Sequence, residues 1–218
     1  MIHRIYVSSK VPDTRSAVKL IHFRNIGFSS ISKLEIVDVF TIDKNFTRPK
    51  IQLIAKSLAN PVSQKTNIDS VTVNSRFSWL IETGFLPGVT DNIATTSKEI
   101  IEDLLKVKFS QKEGVYTSQI LLLGGKCSSK EISRLAVFFI NPLIGHADVK
   151  TRIQFLKGKN TDWYVPKVSL EKLLPVSEVN MQISDEELIR LGKAGIPNVD
   201  GSRRGPLALG LDYLKAIK

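Results

Sequence analysis

Three histidines, one cysteine, a run of helical carboxylates and an arginine pair are the residues here whose types could do chemistry. His3, His22 and His146 lie far apart, and none has a second ligand-type residue at helical or hairpin spacing. They read as surface or packing residues rather than as metal ligands. Cys127 follows Gly124-Gly125-Lys126. A phosphate-cradling loop would need a glycine five positions before Gly125, where Ile120 stands, and Ser or Thr directly after the lysine. The stretch reads instead as a turn at Gly124-Gly125, with Ser128 capping the next helix and Glu131 completing a capping box. Cys127 is then a small turn residue with no nucleophilic role. Glu99, Glu102 and Asp103 could do acid–base work as paired carboxylates, but their spacing makes them the solvated side of one amphipathic helix. Arg203-Arg204, in the glycine turn Gly201 to Gly205, could grip a phosphate or carboxylate on a partner. The residues spell no triad, metal cluster or nucleotide loop, so by themselves they do not describe a catalyst, and no cofactor or metal is expected on this chain.

The elements that would position these residues follow a repeat. Ile51, Ile54, Ala55, Leu58, Asn60, Pro61 and Val62 match Ile132, Leu135, Ala136, Phe139, Asn141, Pro142 and Leu143, each pair 81 positions apart. The shared unit is an amphipathic helix stopped by Asn-Pro, because proline disfavours helix in the residue before it. The flanks agree. A strand pattern runs from Leu34 to Ile42 and another from Val115 to Leu123, again 81 apart. A helix precedes each: residues 14–25, after Pro12-Asp13, with Ala17, Val18 and Ile21 as its apolar face, and residues 92–106, capped by Thr90-Asp91, with Ile93, Ser97, Ile100, Ile101, Leu104 and Leu105. Strands are expected before those helices, at Arg4–Val7 and Phe77–Phe85, and closing each half, at Ser70–Asn74 and Ala147–Phe155.

The reading is an α+β chain: two β-α-β-α-β units, a middle strand that is bent or split left open as an alternative, forming a two-layer sandwich and packing as an internal pseudo-dimer. The organisation expected is 1–74, 75–158 and a connector, 159–218. In the connector, Pro166 and Pro175 mark extended chain, Ser184 and Glu187 a capping box, Leu188 and Leu191 one helical face ended by Gly195, and Leu207 to Ile217 a last helix. Stopping at Lys218 in mid-helix makes the chain look truncated.

Composition bounds the function. At 42% hydrophobic and a mean hydropathy of zero the chain has the apolar mass for a core. One cysteine excludes a disulfide framework and fits a reducing cytoplasm. The 31 Lys and Arg against 21 Asp and Glu give +10, nearly all of it before Gly158. Tandem α+β units with such charge raise RNA binding, but aromatics are only 7% and the strands lack base-stacking signatures, so nucleic acid is not an expected partner. No stretch approaches the roughly 18 apolar residues of a membrane helix, so a membrane is not expected either.

Longer strings are more specific. Gly84 to Asn92 (GFLPGVTDN), Glu99 to Leu105 (EIIEDLL) and Val115 to Ser118 (VYTS), with the helix endings Asn60-Pro61 and Asn141-Pro142, resemble the amino-terminal domain of phosphoribosylformylglycinamidine synthase. The tail is similar to that family's connector toward its synthase core: Ile183 to Leu191, Arg203 to Leu209, then Leu211 to Ile217. The resemblance covers nearly the whole chain. It implies a fused pair of units like the small accessory subunit PurS, doing no chemistry, bridging synthase and glutaminase parts and helping to enclose the ammonia path. The family's ATP and magnesium sites and its glutaminase cysteine belong to segments outside this chain, so no catalytic residue carries over. Gly84, Pro87 and Gly88 are then backbone-shaping turn positions, and Arg203 and Arg204 the candidate interface. A free two-repeat subunit acting in trans, or a basic tandem module binding RNA or a ligand, are the alternative expectations.

Overall fold

The unbroken apolar run Ile120-Leu121-Leu122-Leu123 demands a strand covered on both faces, and the computed structural model puts it at the centre of a six-stranded antiparallel sheet. The structure describes residues 2–70, 76–157, 164–168, 178–198, 200–207 and 209–217. The chain divides into two compact units, Met1–Val168 and Ser169–Lys218. The first runs β1 (His3–Ser9), α1 (Thr14–Asn25), β2 (Ile31–Asp43), α2 (Arg48–Ser57), β3 (Gln64–Ile68), β4 (Trp79–Phe85), α3 (Asn92–Leu105), β5 (Gly114–Gly125), α4 (Ser129–Phe139), β6 (Gly145–Thr151) and α5 (Arg152–Lys157). The strand order is β3-β1-β2-β5-β4-β6. Reading inward from either edge gives the third, first and second strand of one half.

Register repeats that arrangement. In the central pair, Asp38 lies opposite Gln119, the residue 81 positions later, and Ile42 lies opposite Val115 as Leu34 lies opposite Leu123. Ile5 pairs with Phe40 and Ile68, and Ile81 with Leu121 and Val149. Alternate residues of these strands share one face. There Phe23 of α1 and Ile132, Leu135 and Ala136 of α4 pack over Leu34, Ile36, Ile81, Leu121 and Leu123, while α2 and α3 pack over Ile5, Val7, Ile42 and Val115. The opposite face buries Tyr6, Val37, Val39, Leu80, Ile120 and Leu122, with Phe77 and Phe155 at one corner. Burial at about 25 cal/mol per Å² on both faces is the main source of this unit's stability.

Helix starts follow the capping chemistry of the sequence. Asp13 accepts from the Arg15 N–H, Asp91 from the Ala94 N–H, and Ser128 and Glu131 form the expected capping box. Both Asn-Pro endings make the same turn: the side-chain oxygens of Asn60 and Asn141 accept from the N–H of Val62 and Leu143, and their carbonyls from the N–H of Gln64 and Gly145.

Three expectations change in this unit. The inward stripe of α1 is Ser16, Leu20 and Phe23, while Ala17, Val18 and Ile21 face outward. Phe23 buries more area than Ile21 would, and Ser16 Oγ takes the N–H of Ile36, which lies beyond the reach of β1. On α3 the inward residues are Ala94, Ser97 and Ile101, with Leu105 half-buried; Ile93, Ile100 and Leu104 are exposed. The closing strands start earlier than expected, directly after the Asn-Pro turns, and Arg152 already begins a helix; residues 71–74 of the first expected strand lie outside the described residues. The middle strand β2 is continuous, with one register shift between Ile31 and Lys33.

The second unit, described by itself, holds α6 (Asp185–Ala194) and α7 (Leu211–Ile217), the latter four residues shorter than expected. The Ser184–Glu187 capping box opens α6, and Leu188, Leu191 and Leu214 are buried. Most of the expected extended connector, including 159–163 and 169–177, lies outside the described residues. No helix among the described residues is long and apolar enough to cross a membrane.

Candidate functional site

Two polar clusters break the apolar surfaces of the sheet, one on each face. On the helix-covered face, where β2 and β5 cross at Asp38 and Gln119, the helices part and leave a cleft of about 340 Å³ whose lining includes Asp38, Gln119, Thr83, Thr117, Ile93 and Phe139. Gln119 Nε2 donates to Asp38 Oδ1 at 3.0 Å, and Arg15 Nη1 of α1 donates to Asp38 Oδ2 at 2.9 Å. Lys19, one turn along α1, donates to Gln119 Oε1 at 3.1 Å and sits 4.2 Å from the Phe139 ring centroid. Burial, with Arg15 beside it, holds the Lys19 ammonium below the usual lysine range, against the pull of Asp38. Arg15, Lys19, Asp38 and Gln119 thus bond to one another, and among the described residues no nucleophile rests against a base there.

The second cluster lies on the other face. Arg4 of β1 reaches across β2 and β5 to Glu82 of β4, and Ser118 Oγ donates to the same Glu82 oxygen at 2.6 Å. The side chains of Arg4 and Glu82 are only 3% and 12% exposed, and the guanidinium lies over the Tyr6 ring, 5.2 Å from its centroid. No short stretch of sequence announces this cluster, because Arg4 and Glu82 are 78 positions apart. The signal that was present is a charge at an alternating position of each first strand, where an apolar residue fits the pattern.

Burial pushes the Tyr6 phenol up to about 12; Arg4 opposes the shift, and Glu82 and Asp69 reinforce it. A phenol whose folded pKa is raised holds its proton more tightly when folded. Its contribution is complete below the ordinary tyrosine pKa of 10 and is lost as pH rises from there toward 12. The expected slope is about 1.4 kcal/mol per pH unit in that window. Urea unfolding at about pH 9 and about pH 11 should therefore show the wild-type chain losing more stability than Tyr6→Phe; equal losses would contradict it.

The remaining candidates have structural surroundings. His3 is buried between Asp69 (Nδ1 3.1 Å) and the Phe46 carbonyl (Nε2 3.2 Å). His22 lines a groove beside α1, and the His146 ring lies 4.0 Å from that of Tyr164. Cys127 accepts at Sγ from Ser30 Oγ at 3.6 Å, and its carbonyl accepts from Trp79 Nε1. Glu102 binds Lys108 and the Phe109 N–H, while Glu99 and Asp103 are exposed. Pro87 and Gly88 form a turn closed by Val89 N–H to Leu86 carbonyl, with Gly88 at φ +85° as a type II turn requires. Gly84 lies within β4, where an added Cβ would come within 2.8 Å of the His146 ring. In the second unit, Arg203 Nη1 donates to the Gly195 carbonyl at 2.8 Å and Arg204 Nε to Asn198 Oδ1 at 3.0 Å, both knitting their own turn. Among the described residues no three His, Cys, Asp or Glu side chains gather as a metal site. No protein-family model matches this chain, and no curated protein matches it significantly.

Proposed function

We propose that this chain is the non-catalytic, PurS-like domain of a phosphoribosylformylglycinamidine synthase: two duplicated α+β units in a two-layer, pseudo-dimeric sandwich, followed by a connector. Its role is to bridge synthase and glutaminase parts and to help enclose the ammonia path, in the cytoplasm. The parent reaction amidates formylglycinamide ribonucleotide; ATP phosphorylates the substrate's amide oxygen, and ammonia from glutamine displaces the phosphate. ATP and magnesium belong to the synthase part, and glutamine hydrolysis to the glutaminase.

One observation carries the reading. The sequence offset of 81 reappears as strand register, so that Asp38 lies opposite its own equivalent, Gln119. Such self-pairing is what a fused two-fold dimer requires, since a residue on the axis meets its counterpart. Two further pairs of equivalent contacts support it. The turns after Asn60 and Asn141 are alike. In each half the central-strand N–H just past the first strand is capped from the following helix start: Ile36 by Ser16, itself bonded to Asp13, and Thr117 by Asp91 directly. The family assignment itself rests on the quoted strings, and it holds whether the chain is fused to its synthase or acts in trans. The expected result is that the purified chain alone neither hydrolyses ATP nor forms the amidine product; robust ATP-dependent amidation by these 218 residues would overturn the reading.

A further inference from the structure

The outward sides of α1 and α4 are apolar where a solvated helix should be polar. Val18 and Ile21 of α1 are 67% and 57% exposed, and Val137 and Phe138 of α4 are 78% and 61% exposed. Between the two helices lies a groove of about 590 Å³, lined by Arg15, Val18, Lys19, His22, Phe138 and Phe139. Exposed aliphatic and aromatic side chains grouped about a groove mark an interaction surface.

The groove itself is basic, lined by Arg15 and Lys19 and by no carboxylate. The two helices are net basic as well: α1 holds Arg15, Lys19 and Arg24 and no carboxylate, and α4 holds Lys130 and Arg134 against Glu131. The nearby acids are engaged. Both Asp38 oxygens are taken by Arg15 and Gln119, Asp13 caps α1, and Glu131 accepts from Ser128 and Ser30. The outward side of α3 is opposite in sign, with exposed Ile93, Ile100 and Leu104 beside Glu99 and Asp103. The two halves share a backbone plan but not a surface, so a partner can tell them apart. A second copy is disfavoured as the occupant, because a chain of net charge +10 repels its own kind.

We infer that the α1/α4 face is the docking surface for a protein partner that is apolar at its centre and carboxylate-rich at its rim. This rests on the scaffold reading and assigns the face that would do the bridging. The test measures binding of the full chain to the synthase and to the glutaminase polypeptide of the same source, with Ile21→Asp, Phe138→Asp and, on α2, Leu53→Asp. All three positions are exposed, and circular dichroism checks each fold. The expected outcome is that Ile21→Asp and Phe138→Asp each weaken binding to one polypeptide by roughly 30-fold or more. Leu53→Asp should change it by less than about threefold, and wild-type affinity should fall as salt rises from about 50 to about 500 mM. Unchanged binding by both face variants, with the wild type binding well, overturns the docking assignment and leaves the scaffold reading standing. Self-association abolished by the same two variants gives the face to a second copy and overturns it too. Wild-type binding to neither polypeptide overturns both.

Discussion

Replacing Glu82 by Ala should lower unfolding free energy by about 3–5 kcal/mol, because it removes a carboxylate from an ion pair that is largely shielded from water. Glu82 receives both Arg4 and Ser118 on one oxygen, and the pair ties the first strand of one half to the first strand of the other. A buried pair contributes little net stability, since desolvation nearly offsets attraction, but removing one partner leaves the other charge in a low dielectric. The double variant Arg4→Met with Glu82→Met is therefore expected to lie within about 1 kcal/mol of the wild type or above it. Urea midpoints of the two variants decide the matter. A loss below about 1 kcal/mol in Glu82→Ala would mean the cluster is solvated in solution.

Asp91→Ala should cost about 2–3 kcal/mol, more than capping alone explains. One carboxylate oxygen accepts from the Ala94 N–H at 2.9 Å as the α3 cap. The other accepts from both the N–H and the hydroxyl of Thr117, at 2.9 and 2.8 Å. Thr117 lies just beyond the last β4 pair, where β5 has lost its ladder partner on that side. Asp91 therefore fastens helix to sheet, whereas Asp13 reaches the equivalent N–H of Ile36 only through Ser16. Asp13→Ala is expected to cost about 1 kcal/mol, the ordinary magnitude of a lost cap. Thermal or urea unfolding of the two variants, measured side by side, checks the asymmetry; equal losses would contradict it.

Much of this fold was legible because its signals are local and periodic. The Leu34–Ile42 alternation, the apolar run through Leu123, the capping box at Ser128 and the Asn-Pro stops each fix one element without reference to the rest. What was misread depended on partners distant in sequence. Residues 14–25 contain two plausible stripes, one through Val18 and Ile21 and one through Ser16, Leu20 and Phe23. Choosing between them needs the unpaired Ile36 N–H, which exists only once β1 has ended. The polar strand Gln64–Ile68 is an edge with no buried residue, so no alternation announced it. The Arg4–Glu82 cluster was invisible because strand order, which brings β1 and β4 within reach across the two middle strands, is not written in any short window. The same holds for the α1/α4 groove, since an outward apolar stripe looks like a core stripe until the sheet is placed.

On the proposed function, this chain assembles a synthase with a glutaminase and does none of their chemistry. The most direct test is to reconstitute glutamine-dependent amidation of formylglycinamide ribonucleotide from the synthase and glutaminase polypeptides of the same source, with and without the purified chain, and to run ammonia-dependent amidation alongside. The expected result is that the glutamine-dependent rate requires the chain, and that the chain supplied alone is inert. A glutamine-dependent rate unaffected by adding the chain, with no complex formed, would contradict it.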